Sequence, residues 1–267
     1  MDAEAVRELY DRQMRREARP DEDGARTERT AGVLRQVGPP GGWSGILWSD
    51  LDEESADAAI AEQVRYFGAA GRDVEWKTYG HDRPADLPAR LTAAGFTAEE
   101  EEALLVAETA SLPLDVPPPD GVRLLPVTEE AQVALVEKVH DQAFESDRSV
   151  IGHLLRSQLA QHPGRAAAVV ALAGDEPVSA ARLELHPGTD FVSLWGGGTV
   201  PAWRGRGIYR SLVAFRTRIA ADQGYTYVHV DASPYSRPIL ERLGFVALGT
   251  TTPYVLEARD NPHRRIS

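Results

Sequence analysis

From Phe191 the chain runs FVSLWGGGTVPAWRGRGIYRSLVAFRTRIAAD, and few folds can hold such a run. An apolar segment enters a turn of alternating Arg and Gly, and the turn opens directly into an amphipathic helix. Ile208, Leu212, Phe215 and Ile219 are spaced to share one face of that helix. The first turn of a helix has N–H groups with no intrahelical partner, and they lie at the positive end of its dipole. Glycines in front of it let the backbone come close to a ligand. Strand, glycine turn and helix therefore predict an anion site, with Arg204, Arg206 and Arg210 adding positive charge. A diphosphate is the guest such a site suits.

Upstream, the segment SLPLDVPPPDG, residues 111–121, has the proline content of a stiff extended linker and marks a boundary. Beyond it, GVRLLPV reads as a strand, AQVALVEKVHDQAF as an amphipathic helix and GHLLRSQLAQ (152–161) as a second helix. The strands AAAVVALA and SAARLELHP follow around a GDEP turn. FVSLWGGGTV is the fourth strand, YTYVHVDAS the fifth, RPILERLGF a short helix ending at Gly244, and TTPYVLEA a last strand.

The order β-α-α-β-β-β-α-β-α-β, with the Arg-Gly turn between the fourth strand and the third helix, resembles the GNAT superfamily of acyl-coenzyme A dependent N-acetyltransferases. That family's cofactor signature is Arg or Gln, two residues, Gly, one residue, then Gly or Ala. Here Arg204, Gly207 and Tyr209 hold those positions, so a tyrosine stands in place of the last small residue and is expected to crowd the phosphates. A second landmark is SPYSRPILERLGF, ending on Gly244-Phe245. The resemblance covers residues 122–267 and implies an α/β (α+β) fold with a mixed central sheet flanked by helices. It implies acetyl-CoA as cofactor, held by Thr199, Val200, Arg204, Gly205, Arg206, Gly207, Ile208, Tyr209 and Arg210, with Ser233 contacting the pantetheine arm. The arm would enter where the fourth and fifth strands splay, and Gly196, Gly197 and Gly198 would allow a bulge there. The N–H near Val200 would polarise the thioester carbonyl.

The first part of the chain parallels the second. GRDVEWKTYGHDRPADLPARLTAAGF (71–96) matches GYTYVHVDASPYSRPILERLGF (224–245) as strand, proline-containing turn, short helix and Gly-Phe. Residues 1–110 thus read as a smaller, degenerate GNAT-like half domain, truncated so that it lacks the early strands. Its strand GILWS runs into DLDEESAD, so Asp50, Asp52, Glu53 and Glu54 stand where the second copy has arginines. Carboxylates cap a helix start well and repel a diphosphate. Only residues 122–267 are expected to bind the cofactor and catalyse.

The proton-transfer groups are less explicit. In many relatives a tyrosine four residues before the Gly-Phe pair protonates the leaving thiolate; here that position is Leu240. Tyr235 and Ser236 stand close by as substitutes. Glu184 and Asp231 are the carboxylates placed to act as base. Alternation puts Tyr227, His229 and Asp231 on one strand face. His229 titrates in the useful range, although a lone strand histidine is more often a packed core residue, and His140 and Asp141 invite the same caution.

Composition narrows the partners. The chain has 267 residues, no cysteine and a formal charge of -12, and 24 acids face 13 Lys and Arg within residues 1–110. No disulfide, thiolate metal site or cysteine nucleophile is available, and no metal-ligand cluster, HExxH or Ser-His-Asp order is apparent. Nucleic acid is not an expected partner without a basic surface. Nor is a membrane, since no apolar run approaches the roughly 20 residues of a bilayer crossing. The charged N-terminus has no apolar core of a secretory signal, and a cytoplasmic monomer or homodimer is expected. The acidic first part favours a small cationic amine as acetyl acceptor. An acetyl-CoA-binding sensor with little catalysis is the alternative. A P-loop reading fares poorly, because no GxxxxGK[ST] is present, and a dinucleotide reading fails, because no GxGxxG follows a first strand.

Overall fold

The structure is a computed structural model and describes residues 1–144, 152, 155–159 and 164–258. Its chain packs as two compact units. The first takes Met1–Leu104, Asp231–Arg237 and the segment from Ala247; the second takes Leu105–Val230 and Pro238–Val246. Among the described residues no helix is long and apolar enough to cross a membrane.

In the first unit, helix α1 (Ala3–Tyr10) continues as a π-helical turn over Asp11–Arg16. Strands β1 (Arg26–Thr30), β2 (Val33–Val37), β3 (Gly45–Ser49) and β4 (Val74–Tyr79) lie side by side, and β12 (Val246–Leu256) pairs antiparallel with β4. The short β5 (Thr97–Ala98) pairs with β12. Helices α2 (Ala56–Ala69) and α3 (Leu87–Ala93) complete it. Ile46, Phe67, Trp76, Leu87, Leu91 and Phe96 form its core.

The expected absence of the early strands needs correcting, although three strands lead up to α2 against four before the Arg-Gly turn. The first copy holds a β1–β2 hairpin ahead of GILWS, with Thr30 opposite Val33 and the turn made by Ala31 and Gly32, both at positive φ. Two left-handed residues match the right-handed twist of the strands, but Ala-Gly is a weaker signal than Asn-Gly.

The second unit orders its strands β6-β11-β10-β9-β8-β7: β6 (Glu102–Glu108), β11 (Tyr227–Ala232), β10 (Phe191–Thr199), β9 (Glu176–Leu185), β8 (Ala166–Ala173) and β7 (Val122–Val127). The ladders from β7 to β10 are antiparallel, whereas β10 and β11 run parallel, so the sheet is mixed. Helix α4 (Glu130–Phe144) packs Val133, Val136 and Val139 into its core. Helix α5 (Ile208–Asp222) starts at the Arg-Gly turn, and α6 (Arg237–Leu243) follows β11. Of the helix expected over 152–161, residues 152 and 155–159 are described and helical; the rest lies outside the described residues.

Repetition extends to individual hydrogen bonds. α3 closes on Gly95 at φ +100, with Phe96 N donating to Leu91 O at 3.1 Å. α6 closes on Gly244 at φ +108, with Phe245 N donating to Leu240 O at 3.1 Å. Both phenylalanines are buried.

The proline-rich segment is pinned within the second unit. Pro117 O accepts from Ser211 Oγ at 2.9 Å, and Leu114 O accepts from the Arg218 guanidinium at 2.7 Å, both from α5. Polyproline-like backbone leaves its carbonyls without internal partners, and here a helix supplies donors.

Candidate active site

β10 and β11 are paired only over Phe191–Ser193 and Tyr227–His229. Beyond the last of these rungs the ladder stops, as the resemblance implies for a splay. On its other edge, β10 breaks register with β9 between Trp195 and Gly198, so Gly196 and Gly197 form a bulge. Gly196 sits at φ +57, a backbone that only glycine adopts without strain. Its carbonyl accepts from His140 Nε2 of α4 at 2.8 Å, and a Cβ there would stand 3.0 Å from the imidazole.

At the end of β10, Pro201–Trp203 make one 3-10 turn, and Gly205 and Gly207 follow at φ +75 and +88. Gly207 caps α5. A Cβ built on either glycine meets no heavy atom within 4 Å, so the turn ahead of the helix's first N–H groups is open. A diphosphate fits this cradle, because glycine backbone, helix dipole and nearby guanidinium groups all favour an anion.

The predicted cofactor residues divide into three groups. Gly205, Gly207, Arg206 and Arg210 are exposed at the turn, with Arg206 lying 4.5 Å over the Trp203 ring. Arg204 is spent on the turn itself: Nε donates to Thr199 O and an Nη to Ala143 O, both at 3.0 Å. Thr199 in turn shares a 2.8 Å hydroxyl contact with Ser179. Ile208 belongs to the core.

Two roles need correction. Val200 N donates to Val178 O at 3.0 Å, so this N–H is engaged in the fold and does not face a carbonyl ligand. Tyr209 does not crowd the phosphates; its ring turns inward and lies where a Gly197 Cβ would stand only 2.7 Å away. Burial pushes its phenol up, with Arg216 acting in the opposite sense.

The buried stripe of α5 also differs from expectation. Ile208, Leu212 and Ala220 are buried and Arg216 lies between them, whereas Phe215 and Ile219 are only partly buried. Arg216 is 1% exposed. Its Nε donates to Leu212 O at 3.0 Å, and one Nη reaches Arg182 O at 3.0 Å and Trp195 O at 3.5 Å. Burial lowers its pKa to about 10, which leaves it charged at neutral pH. A spacing of four from Leu212 to Arg216 to Ala220 was the available sequence signal.

The candidate proton carriers fall in different units. Glu184, in the second unit, is 3.0 Å from Arg182. Asp231, Ser233 and Tyr235 belong to the first unit. The Asp231 carboxylate is 3% exposed and ion-paired with Lys77, and Thr251 Oγ1 donates to it at 3.3 Å. Both carboxylates are thus ion-paired, but Glu184 is 19% exposed whereas Asp231 is shut in. Ser233 starts α6, its carbonyl accepting from Ser236 N and Arg237 N. Tyr235 is 86% exposed, and Leu240 is fully buried in the usual tyrosine position.

Missed by the sequence reading was a contact in the second unit: His186 Nε2 and Ser193 Oγ are 2.6 Å apart. The His186 ring stacks on His229 at 6.1 Å, and His229 meets Phe191 edge-on. His229 is therefore a packed core residue. Burial takes His186 down to about 4. No cluster of three metal-ligating side chains occurs among the described residues.

In the first copy the corresponding link between β3 and α2 carries its own anion. Asp52 Oδ1 accepts from Ser55 N at 2.9 Å, Ser55 Oγ at 2.6 Å and Glu54 N at 3.2 Å. These bonds hold its carboxyl below the usual range.

Comparison with known proteins agrees with this geometry. Residues 133–245 match the model of the acetyltransferase (GNAT) family. No curated protein matched in sequence. Among solved structures, a GCN5-related N-acetyltransferase from Kribbella flavida is 17% identical, with a TM-score of 0.72 over 98% of each chain. A tandem GNAT protein from the clavulanic acid biosynthesis pathway is 12% identical, with a TM-score of 0.61 over 96% of each chain. A conserved protein of unknown function from Staphylococcus epidermidis is 14% identical, with a TM-score of 0.66 over 86% of this chain and 93% of its own. Identities so low establish a shared fold. Over residues 133–245 the chain matches the GNAT acetyltransferase family, an acyltransferase class.

Proposed function

We propose that the protein moves the acetyl group of acetyl-CoA to a primary amine of a small cationic acceptor, by direct attack of the amine on the thioester. The observation that carries this is the open left-handed turn at Gly205 and Gly207, next to a bulge in a strand that has parted from its neighbour. When bound, acetyl-CoA supplies an activated thioester carbonyl. The turn and the start of α5 hold the diphosphate, with Arg206 and Arg210 adding charge, while Arg204 keeps the turn in shape.

The bulge supplies the donor that Val200 cannot. A trans peptide sets its N–H opposite its C=O. Trp195 O and Arg182 O both lie within reach of one Arg216 nitrogen, so Trp195 O is turned toward β9. The Gly196 N–H therefore points away from β9, into the splay, where it donates to a carbonyl oxygen that gains charge as the amine attacks. Glu184, opposite Ser193 on β9 and in the same unit as the turn, takes the amine proton at its carboxylate. We assign the first copy no cofactor, because the Asp52 carboxylate already holds the Glu54 and Ser55 N–H groups ahead of α2 and would repel a diphosphate.

A second reading is a sensor that binds acetyl-CoA without turning it over, favoured by buried Leu240 where a tyrosine acid is usual. Free thiol release from acetyl-CoA with a panel of amines and polyamines separates the two. Turnover with a cationic amine supports the enzyme; tight binding without thiol release on any amine supports the sensor. Calorimetry giving two acetyl-CoA per chain would overturn the assignment to one copy.

A further inference from the structure

Arg216 has no part in the function proposed so far except as a landmark, yet it is the most unusual group near the bulge. It is a guanidinium buried in the second unit, and among the described residues no ion pair with a carboxylate accompanies it. A buried charge is costly without partners. Its partners here are backbone carbonyls at 3.0 Å from Leu212 and Arg182, a longer contact to Trp195, and the neighbouring Tyr209 phenol. A plain packing role would be filled more cheaply by Leu or Met, as at Leu212 one turn earlier.

The placement is specific. β9 and β10 lose register just beyond the Trp195–Arg182 rung, and the Arg216 guanidinium lies against the carbonyls of that rung. The next carbonyl along, that of Gly196, is held by His140 from α4. Two consecutive carbonyls of β10 thus receive side-chain donors from two different helices. Fixing both peptide planes fixes the direction of the N–H between them.

We propose that Arg216 is a positioning residue for acetyl transfer, holding and polarising the Trp195–Gly196 peptide so that the Gly196 N–H is a stronger donor to the thioester carbonyl. The chemistry is ordinary. A cation on a carbonyl oxygen draws electron density through the amide and strengthens the N–H on its far side, the cooperativity seen in hydrogen-bonded chains. His140 supports the same bulge through Gly196 O. The phosphate turn, built from Gly205 and Gly207, has no share in this contact, so cofactor affinity and carbonyl polarisation should separate.

The inference rests on the acetyl-transfer function proposed above, and the test keeps the two apart. Acetyl-CoA carrying a carbon-13 carbonyl is bound to wild-type protein and to Arg216→Met, and the thioester C=O stretch is read by infrared difference spectroscopy. In the wild type the stretch should fall below that of free acetyl-CoA. In Arg216→Met it should return toward the free value, with desacetyl-CoA affinity within about twofold of wild type and kcat lowered about tenfold, a fraction of the loss on deleting a whole oxyanion donor. A folded Arg216→Met with an unchanged C=O shift overturns the proposal. If that variant fails to fold, Arg216→Lys carries the test: a retained charge of shorter reach should give an intermediate shift, and a wild-type shift overturns the proposal. Wild-type protein that binds no acetyl-CoA would instead remove the function on which the inference rests.

Discussion

The ring of Tyr209 occupies the space that a side chain at Gly197 would need: a Cβ there would come within 2.7 Å of the tyrosine Cε2. The two positions are matched. A bulky residue at the last place of the phosphate signature is accommodated by a glycine in the bulge, and the turn stays open. Gly197→Ala is expected to cost about 1–3 kcal/mol by overpacking and to weaken acetyl-CoA binding through displacement of the start of α5. Combining it with Tyr209→Ala should relieve the clash. Denaturant unfolding of both single variants and the double variant would show the coupling, and strict additivity would contradict the match.

Gly207→Glu should abolish acetyl-CoA binding while leaving a folded chain. The position is at φ +88 with free space around it, so the cost of a side chain is backbone strain of about 1–2 kcal/mol. Gly207→Ala carries that strain without the charge. Calorimetry on both variants separates the effects, because only the carboxylate repels a diphosphate. Equal loss in the two would place strain, not charge, in control.

Lys77→Met should destabilise the first unit by about 3–5 kcal/mol, the usual cost of removing one partner of a buried ion pair. Desolvation opposes the Lys77 charge, but Asp231 outweighs it and raises the pKa of the ammonium. Asp231→Asn should likewise appear as a lowered Tm, with the shape of the kcat pH profile unchanged. Loss of the acid limb of that profile, where a base becomes protonated, in a stable Asp231→Asn would instead make Asp231 the base.

Two buried groups give opposite pH dependence. Burial holds folded His186 near 4 against 6.5 when free, so between these values the unfolded chain binds the extra proton. Its contribution, at most about 3 kcal/mol, is full above 6.5 and lost as pH falls through about 4. His186→Gln should flatten that acid limb in unfolding titrations. Glu102 is raised from 4.5 to about 7, by burial first and then by Asp231. Here the native state holds the proton longer, so stability falls as pH rises from 4.5 through about 7. Glu102→Gln should be more stable than wild type at pH 8 and no different below pH 4.5.

How much of this was legible beforehand depended on the range of the interactions. The Arg-Gly turn, α5 and the Gly-Phe closures of α3 and α6 are set by residues within a few positions, and their glycines take the positive φ that the sequence required. The bulge was legible from three consecutive glycines, whereas the splay came only from the family resemblance. The β1–β2 hairpin was not, since RTERT carries no apolar alternation and Ala-Gly is an uncommon turn. Val200 and Gly196 could not be told apart without the register of β9 against β10, which fixes whose N–H is already engaged. The Lys77–Asp231 pair joins residues 154 apart in sequence, beyond any local pattern.

The way β12 is housed has a consequence for how such a chain can change over generations. The strand that ends the second copy in sequence packs on β4 of the first unit, and the backbone passes between units four times. Deleting residues 1–104 would leave β12 without the antiparallel partner it has in β4. Neither copy can be removed without unpairing a strand encoded in the other, so the two are kept or lost as one.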